Sequence, residues 1–304
     1  MSTDDLCGVI APVITPFGPD LGIDVEQSIR YCRWLLSQNC GLAVFGTNSE
    51  ANSLSLEERL DLLDQLVEAG IDARRMMPGT GCCSTVETAR LTARAVDLGC
   101  GGVLMLPPFY YKGVSDDGLF AAFADVIEKV GDDRLRIYLY HIPPVSQVPI
   151  TLQLTERLLK AYPGTVVGMK DSSGDWSNTE AMLRAFPELR MFVGSETFLL
   201  AGMRAGGVGC ISATANVNPD GIDALYQNWR SAEADDLQAG LNTIRQTLQA
   251  HPMIPALKAT AAHFSGHDGW RRVRPPLVSL SEQEAGAVVS DLADVGFKMN
   301  MESV

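Results

Sequence analysis

The sequence has no long apolar run and no apolar segment at its start. A membrane-spanning helix needs about 18–20 consecutive apolar residues, and no stretch of this 304-residue chain reaches that length. Residues 1–5 contain no basic residue, and the apolar segment of a secretory signal does not follow them. We therefore expect a soluble, cytoplasmic protein.

Positive charge is also scarce. The chain has 24 Lys and Arg residues against 37 Asp and Glu residues, which gives a formal net charge of −13. Such an acidic chain is poorly suited to bind nucleic acid or an anionic membrane, and we expect neither as a partner. Hydrophobic residues make up 46% of the chain, which is typical of a packed globular protein.

Metal-binding and disulfide patterns are missing. The seven cysteines form no Cys-x-x-Cys pair, although Cys82 and Cys83 are adjacent, and the four histidines form no His-Glu-x-x-His motif. Cysteines that are odd in number and scattered through apolar stretches predict reduced, mostly buried thiols. We expect no metal site.

The chain contains a regular alternation of short apolar runs and longer amphipathic stretches. The clearest helix is Leu56–Ala69, where apolar residues recur every three or four positions and Ser55 with Glu58 fits a capping box. The predicted strands are Val9–Thr15, Leu42–Phe45, Met76–Gly79, Gly102–Leu106, Arg136–His141, Val166–Lys170, Met191–Val193 and Val208–Ser212. Eight such units, with no Gly-x-Gly-x-x-Gly after the first strand, favour a (β/α)8 TIM barrel over a doubly wound sheet.

The alternation ends after about Asn216. The stretches Gly221–Thr247, Pro255–Phe264 and Ser281–Phe297 each have a helical pattern. We therefore predict a barrel over residues 1–216 that carries the active site, followed by a C-terminal helical extension over residues 217–304.

Polar residues collect where the predicted strands end, which is the face that carries the active site of a (β/α)8 barrel. Lys170 directly follows the apolar run 166–169, and such a setting favours the neutral, nucleophilic amine. A lysine that pairs with Asp171 or Glu196, or that reaches solvent, is the alternative. Tyr140 suits either a general acid/base or a core tyrosine, and the loop with Thr47 and Asn48 either a carboxylate site or a simple turn.

Several motifs in the same order resemble the dihydrodipicolinate synthase / N-acetylneuraminate lyase family of class I aldolase-type lyases. The resemblance extends from about Cys7 to about Leu280. Its motifs are Gly46-Thr47-Asn48-Ser49-Glu50, Pro107-Pro108-Phe109-Tyr110-Tyr111, Tyr140-His141-Ile142-Pro143, Gly168-Met169-Lys170-Asp171 and Ile211-Ser212-Ala213-Thr214-Ala215-Asn216.

The resemblance implies a role for each matching residue. Lys170 matches the Schiff-base lysine, Tyr140 the catalytic tyrosine and Thr47 the hydroxyl that relays its proton. Tyr110 matches a second tyrosine that reaches across from a neighbouring subunit. Asn48 matches a carboxylate-holding position, and the loop keeps its first glycine, Gly46. The implied substrate is a 2-oxo acid, no metal or organic cofactor is required, and the implied assembly is a homotetramer, a dimer of dimers.

One departure from the family pattern concerns the substrate. In the synthases the residue two positions beyond the Tyr-x-x-Pro motif is an arginine that binds the carboxylate of the aldehyde, but here it is Val145. An apolar side chain cannot make that contact. We therefore expect an aldolase or dehydratase of a hydroxylated or sugar-derived 2-oxo acid. The residues expected to contact this substrate are Gly46, Asn48, Asp171, Ser172, Ser195, Ile211 and Ser212.

Two other functions stay open. The first is a dihydrodipicolinate synthase that condenses pyruvate with aspartate semialdehyde. The second is a barrel that has lost catalysis and serves in binding or regulation, although Lys170, Tyr140 and Thr47 are all present.

Overall fold

The computed structural model describes residues 6–301, and their strands form one parallel sheet. The strands are β1 (Gly8–Ala11), β2 (Gly41–Leu42), β3 (Val103–Met105), β4 (Ile137–His141), β5 (Val166–Asp171), β6 (Arg190–Val193) and β7 (Gly209–Ile211). Their order in the sheet is β2-β1-β7-β6-β5-β4-β3, with each neighbouring pair parallel.

The predicted strand Met76–Gly79 closes this sheet into a barrel. The Met77 N–H donates to β2 and the Gly79 N–H donates to the residues that follow β2, each over 2.7 Å. On the other side, the Leu104 N–H of β3 donates to the Pro78 carbonyl over 2.9 Å. Pro78 has no N–H, so the ladder to β3 lacks one donor and only isolated bridges form. Eight strand segments therefore surround one axis, which confirms the predicted (β/α)8 barrel.

Helices surround the barrel and extend beyond it. They are α1 (Val25–Ser37), α2 (Leu56–Glu68), α3 (Thr85–Asp97), α4 (Asp116–Val130), α5 (Pro143–Ser146), α6 (Leu152–Ala161), α7 (Trp176–Ala185), α8 (Leu199–Arg204), α9 (Pro219–Asn228), α10 (Ala234–Gln249), α11 (Met253–Ser265) and α12 (Glu282–Asp294). The capping box of Ser55 and Glu58 at the start of α2 is present as predicted. None of the helices in the described part of the chain is long and apolar enough to span a membrane.

The single helix predicted over Gly221–Thr247 is wrong, because the structure has two helices there. Residues 229–233 separate α9 from α10, and the hydroxyl of Ser231 accepts the N–H of Glu233 just before α10 begins. The break lets α10 pack back against α9. The boundary between a barrel and an extension at residues 216 and 217 stays a prediction.

The inner face of the barrel is a separate apolar cluster. Its members come from nearly every strand segment: Leu6, Ile10, Ala43, Met77, Leu104, Tyr138, Tyr140, Ile142, Phe192 and Ile211. Gly168 makes room for the ring of Tyr138, because a Cβ at Gly168 would lie 2.3 Å from that ring. This packed interior forms the floor of the site described next.

Candidate active site

Tyr140 and Lys170 lie side by side on neighbouring strands. The two residues are in register between β4 and β5, and in-register residues of parallel strands point to the same face. Each side chain is only 3% exposed. The Nζ atom of Lys170 lies 4.2 Å from the centroid of the Tyr140 ring. The register of the sheet therefore places an amine and a phenol next to each other inside the barrel.

Lys170 has no acidic partner within residues 6–301. The carboxylate of Asp171 accepts hydrogen bonds from the Ser173 N–H over 2.8 Å, the Asn178 amide over 2.8 Å and the Thr179 hydroxyl over 2.7 Å. Glu196 pairs with Arg245 instead. The structural alternative, in which Lys170 pairs with one of these two acids, is therefore not observed. An unprotonated lysine amine is a nucleophile that can add to a carbonyl carbon.

Thr47 joins this pair through its hydroxyl. Its Oγ1 lies 3.1 Å from the Oη atom of Tyr140, so a proton can pass between them. Thr47 begins a single 3-10 turn, in which Ser49 accepts the Gly46 N–H over 3.1 Å. Ser49 thus stabilises the turn that presents Thr47.

The backbone on both sides of this turn is left-handed. Phe45 has φ 62° and Glu50 has φ 57°, a conformation that non-glycine residues rarely adopt and that persists only where the surroundings enforce it. The side chain of Glu50 is held by an ion pair with Lys258 of α11, and both side chains are fully buried. Burial lowers the pKa of Lys258 to about 8, against the opposing effect of Glu50. A C-terminal helix therefore fixes the loop that carries Thr47.

Above these groups lies an open cavity of about 450 Å³. Eight of the predicted site residues line it: Thr47, Asn48, Tyr140, Lys170, Asp171, Ser172, Ser195 and Ile211. The three others lie elsewhere. Gly46 borders a small neighbouring cavity, Ser212 is fully buried behind the wall, and Tyr110 is 73% exposed on the surface against Tyr111.

His141 and Asp171 project toward the helices rather than into the barrel. The Nδ1 atom of His141 accepts the Ile150 N–H over 3.0 Å, and burial lowers the pKa of its imidazole. The outward direction of His141 follows from the alternation of a strand, because its neighbour Tyr140 faces inward. Asp171 holds α7 through Asn178 and Thr179, so its carboxylate oxygens are already engaged.

The C-terminal helices supply a wall of the cavity that was not predicted from the sequence. Arg245 and Gln249 of α10 and Met253 of α11 line the cavity. One signal was available: Arg245 is the only basic residue in α10 and has no acidic residue three or four positions away. Its position over the cavity could not be read from the sequence.

No cluster of side chains suited to a metal ion occurs among residues 6–301. The cavity instead contains a buried amine, two linked hydroxyl groups, several further hydroxyls and one guanidinium. This set can form a carbonyl adduct and move protons at its carbon atoms.

Comparison with known proteins gives matches over nearly the whole chain. The sequence matches the Dihydrodipicolinate synthetase family over residues 5–295. An uncharacterised DapA-like lyase of Chloroflexus aurantiacus is 33% identical over 287 residues, covering 92% of this chain and 94% of the relative. A 4-hydroxy-tetrahydrodipicolinate synthase of Rhizobium meliloti is 30% identical over 288 residues, covering 93% and 95%. The crystal structure of dihydrodipicolinate synthase from Agrobacterium tumefaciens has a TM-score of 0.88 at 34% identity, covering 95% of this chain and 99% of that one.

Proposed function

The chain belongs to the dihydrodipicolinate synthetase family, as its sequence motifs predicted, and from this premise we propose its activity. It is a Schiff-base-forming lyase of the class I aldolase type that acts on a hydroxylated or sugar-derived 2-oxo acid. The observation that carries the proposal is Lys170, a buried amine that has no acidic partner in the described chain and that lies beside Tyr140 at the base of an open cavity.

In the proposed reaction, the Lys170 amine adds to the C2 carbonyl carbon and water leaves, which gives an iminium. In an aldol cleavage, the electron pair of the C3–C4 bond moves toward the iminium as the C4 hydroxyl loses its proton. In a dehydration, a C3 proton leaves first and the C4 hydroxyl group then leaves as water. Tyr140 accepts and returns the proton through the hydroxyl of Thr47.

The cavity wall supports a hydroxylated substrate. In the proposal, Asn48 and Thr47 hold the C1 carboxylate, and Gly46, whose N–H is bonded to Ser49, shapes the turn that presents them. Ser172 and Ser195 supply hydroxyl contacts, and Ile211 supplies an apolar contact at the cavity floor. Asp171 and Ser212 act indirectly, since the first orients the loop after β5 and the second binds the buried Glu196.

The synthase alternative has a specific weakness at Val145. This side chain lines the cavity and is 60% exposed, at the position where the synthases have a carboxylate-binding arginine. We expect pyruvate-dependent consumption of aspartate semialdehyde to be poor. Efficient condensation would instead assign the chain to lysine biosynthesis.

The test of the proposed class is borohydride trapping. Wild type and Lys170→Ala are incubated with pyruvate or a longer 2-oxo acid in the presence of borohydride, and intact mass and peptide mapping are measured. We expect one reduced adduct per chain on Lys170 and none in the variant. A folded wild-type protein that no 2-oxo acid modifies would replace this proposal with the non-catalytic binding or regulatory barrel.

We also propose that the chain assembles as a homotetramer, a dimer of dimers, and acts in the cytoplasm. In this assembly Tyr110 reaches the site of a neighbouring copy. The exposure of Tyr110 and Tyr111, each 73%, supports a contact of this kind, because exposed aromatic pairs are enriched at protein interfaces.

A further inference from the structure

The part of the cavity wall that the C-terminal helices supply carries a second positive charge. Of the described residues that line the cavity, Lys170 and Arg245 are the two cationic ones. Arg245 projects from α10, near the end of the helix, and its side chain is 15% exposed. The two cations come from different parts of the chain, Lys170 from the barrel floor and Arg245 from the C-terminal helices.

Arg245 is held in place but keeps donors free for a ligand. Its Nε donates to Gln249 over 3.2 Å, and its Nη1 lies 3.4 Å from the Ser212 hydroxyl. Its Nη2 has no hydrogen-bond partner within residues 6–301, and it belongs to a side chain that lines the cavity. A guanidinium has five N–H donors in a planar fork that matches a carboxylate.

Glu196, the acid next to Arg245, leaves N–H donors of the Arg245 guanidinium available to a ligand. Glu196 is 1% exposed, and the hydroxyls of Ser212 and Thr214 donate to its two oxygens. The contact between Glu196 and Arg245 is long, at 3.6 Å. Glu196 therefore offsets the charge of Arg245 at a distance, and its own hydrogen bonds come from the two hydroxyls.

From this arrangement we propose that Arg245 binds a second carboxylate of the substrate, at the end far from C2. The substrate is then a hydroxylated 2-oxo acid with two carboxylates, one held near Thr47 and one at Arg245. A singly charged carboxylate fits better than a doubly charged phosphate, because the buried charge of Glu196 already shares the same guanidinium. This inference rests on the proposed Schiff-base activity and specifies its substrate class.

The test compares trapping probes of equal length that differ only at the far end. 2-Oxoglutarate is paired with 2-oxopentanoate, and 2-oxoadipate with 2-oxohexanoate. The concentration that gives half-maximal borohydride trapping on Lys170 is measured for each. We expect wild type to prefer at least one diacid over its partner by about tenfold or more, as a charge-assisted bidentate contact provides.

Three variants isolate the contribution of Arg245. Arg245→Gln is expected to abolish the preference for the diacid over its monoacid partner, since it removes the charge and the fork. Arg245→Lys is expected to keep part of the preference, because it retains the charge but loses the fork. Arg184→Gln, which removes an exposed arginine on α7 paired with Glu180, is the control and should match wild type.

Each other outcome overturns the inference in a distinguishable way. If wild type is trapped by pyruvate but prefers neither diacid, the lyase stands and the role of Arg245 is wrong. If Arg245→Gln weakens diacid and monoacid trapping by the same factor, Arg245 is structural. If no 2-oxo acid is trapped, pyruvate included, the proposed lyase activity fails and the inference falls with it.

Discussion

At the scale of single residues, the proton path depends on one hydroxyl contact. Tyr140 and Thr47 are linked over 3.1 Å, and the Lys170 amine lies against the same Tyr140 ring. The two possible roles of Tyr140, proton transfer and packing, can be distinguished by experiment, because Tyr140→Phe removes the hydroxyl and keeps the ring.

We expect Tyr140→Phe to slow exchange of the pyruvate C3 protons with deuterated water by ~10²–10⁴, the usual contribution of a positioned acid/base. Lys170 should still be trapped by borohydride at high pyruvate concentration, because the amine is retained. The exchange rate is measured by NMR. Tyr162→Phe, which removes a phenol bonded to Glu128 outside the cavity, should exchange as wild type does. Equal rates in the two variants would exclude Tyr140 as the acid/base.

At the scale of elements, the Thr47 loop and α11 behave as one unit. The left-handed Glu50 ends the turn that holds Thr47, and its carboxylate is fixed by Lys258 and by the Arg274 N–H over 2.8 Å. Neither side chain touches the cavity, so both position the site indirectly. The C-terminal helices therefore contribute to the site twice, through this anchor and through Arg245.

We expect Lys258→Met to lower the free energy of unfolding by roughly 3–5 kcal/mol, because it leaves a buried carboxylate without its counter-charge. The double variant Glu50→Leu with Lys258→Met should lose less stability than Lys258→Met alone, since it leaves no buried charge without a partner. Urea unfolding followed by circular dichroism measures both. A double variant that is at least as unstable as Lys258→Met would contradict this expectation.

At the scale of the whole molecule, the position of Tyr110 has a consequence for assembly. Within one chain, Tyr110 is 73% exposed and does not line the cavity that holds Lys170. If it acts in catalysis, it does so in the site of another copy. That arrangement can be tested by mixing two variants, each defective in a different half of the shared site.

Tyr110→Phe and Lys170→Ala are each expected to be weakly active or inactive in pyruvate proton exchange. After the two are unfolded and refolded together, about one quarter of wild-type activity should return, because half of randomly formed pairs are mixed and each mixed pair has one complete site. Light scattering gives the oligomeric state of the mixture. A refolded mixture that stays as inactive as its components would show that Tyr110 completes no partner's site.

The sequence by itself determined the barrel, the family and the floor of the site. Alternating apolar runs and amphipathic stretches depend on local periodicity, so the strand segments and most helices were predictable. The strand-end positions placed Lys170, Tyr140 and Thr47 on one face of the barrel, and the family resemblance singled out these three among the polar residues there. The break between α9 and α10 was not, because packing of α10 against α9 sets it and the helical pattern continues through it.

Only the tertiary structure decided how the remaining side chains point. Strand alternation turns Asp171 and Lys170 to opposite faces, but only the packing of α7 shows that the Asp171 carboxylate is already hydrogen-bonded and that Lys170 is left beside Tyr140. Arg245 lies 75 residues after Lys170 in the sequence, and only the packing of α10 over the barrel brings it to the same cavity. Contacts between segments so far apart follow from how helices pack on the sheet, which local sequence patterns do not specify.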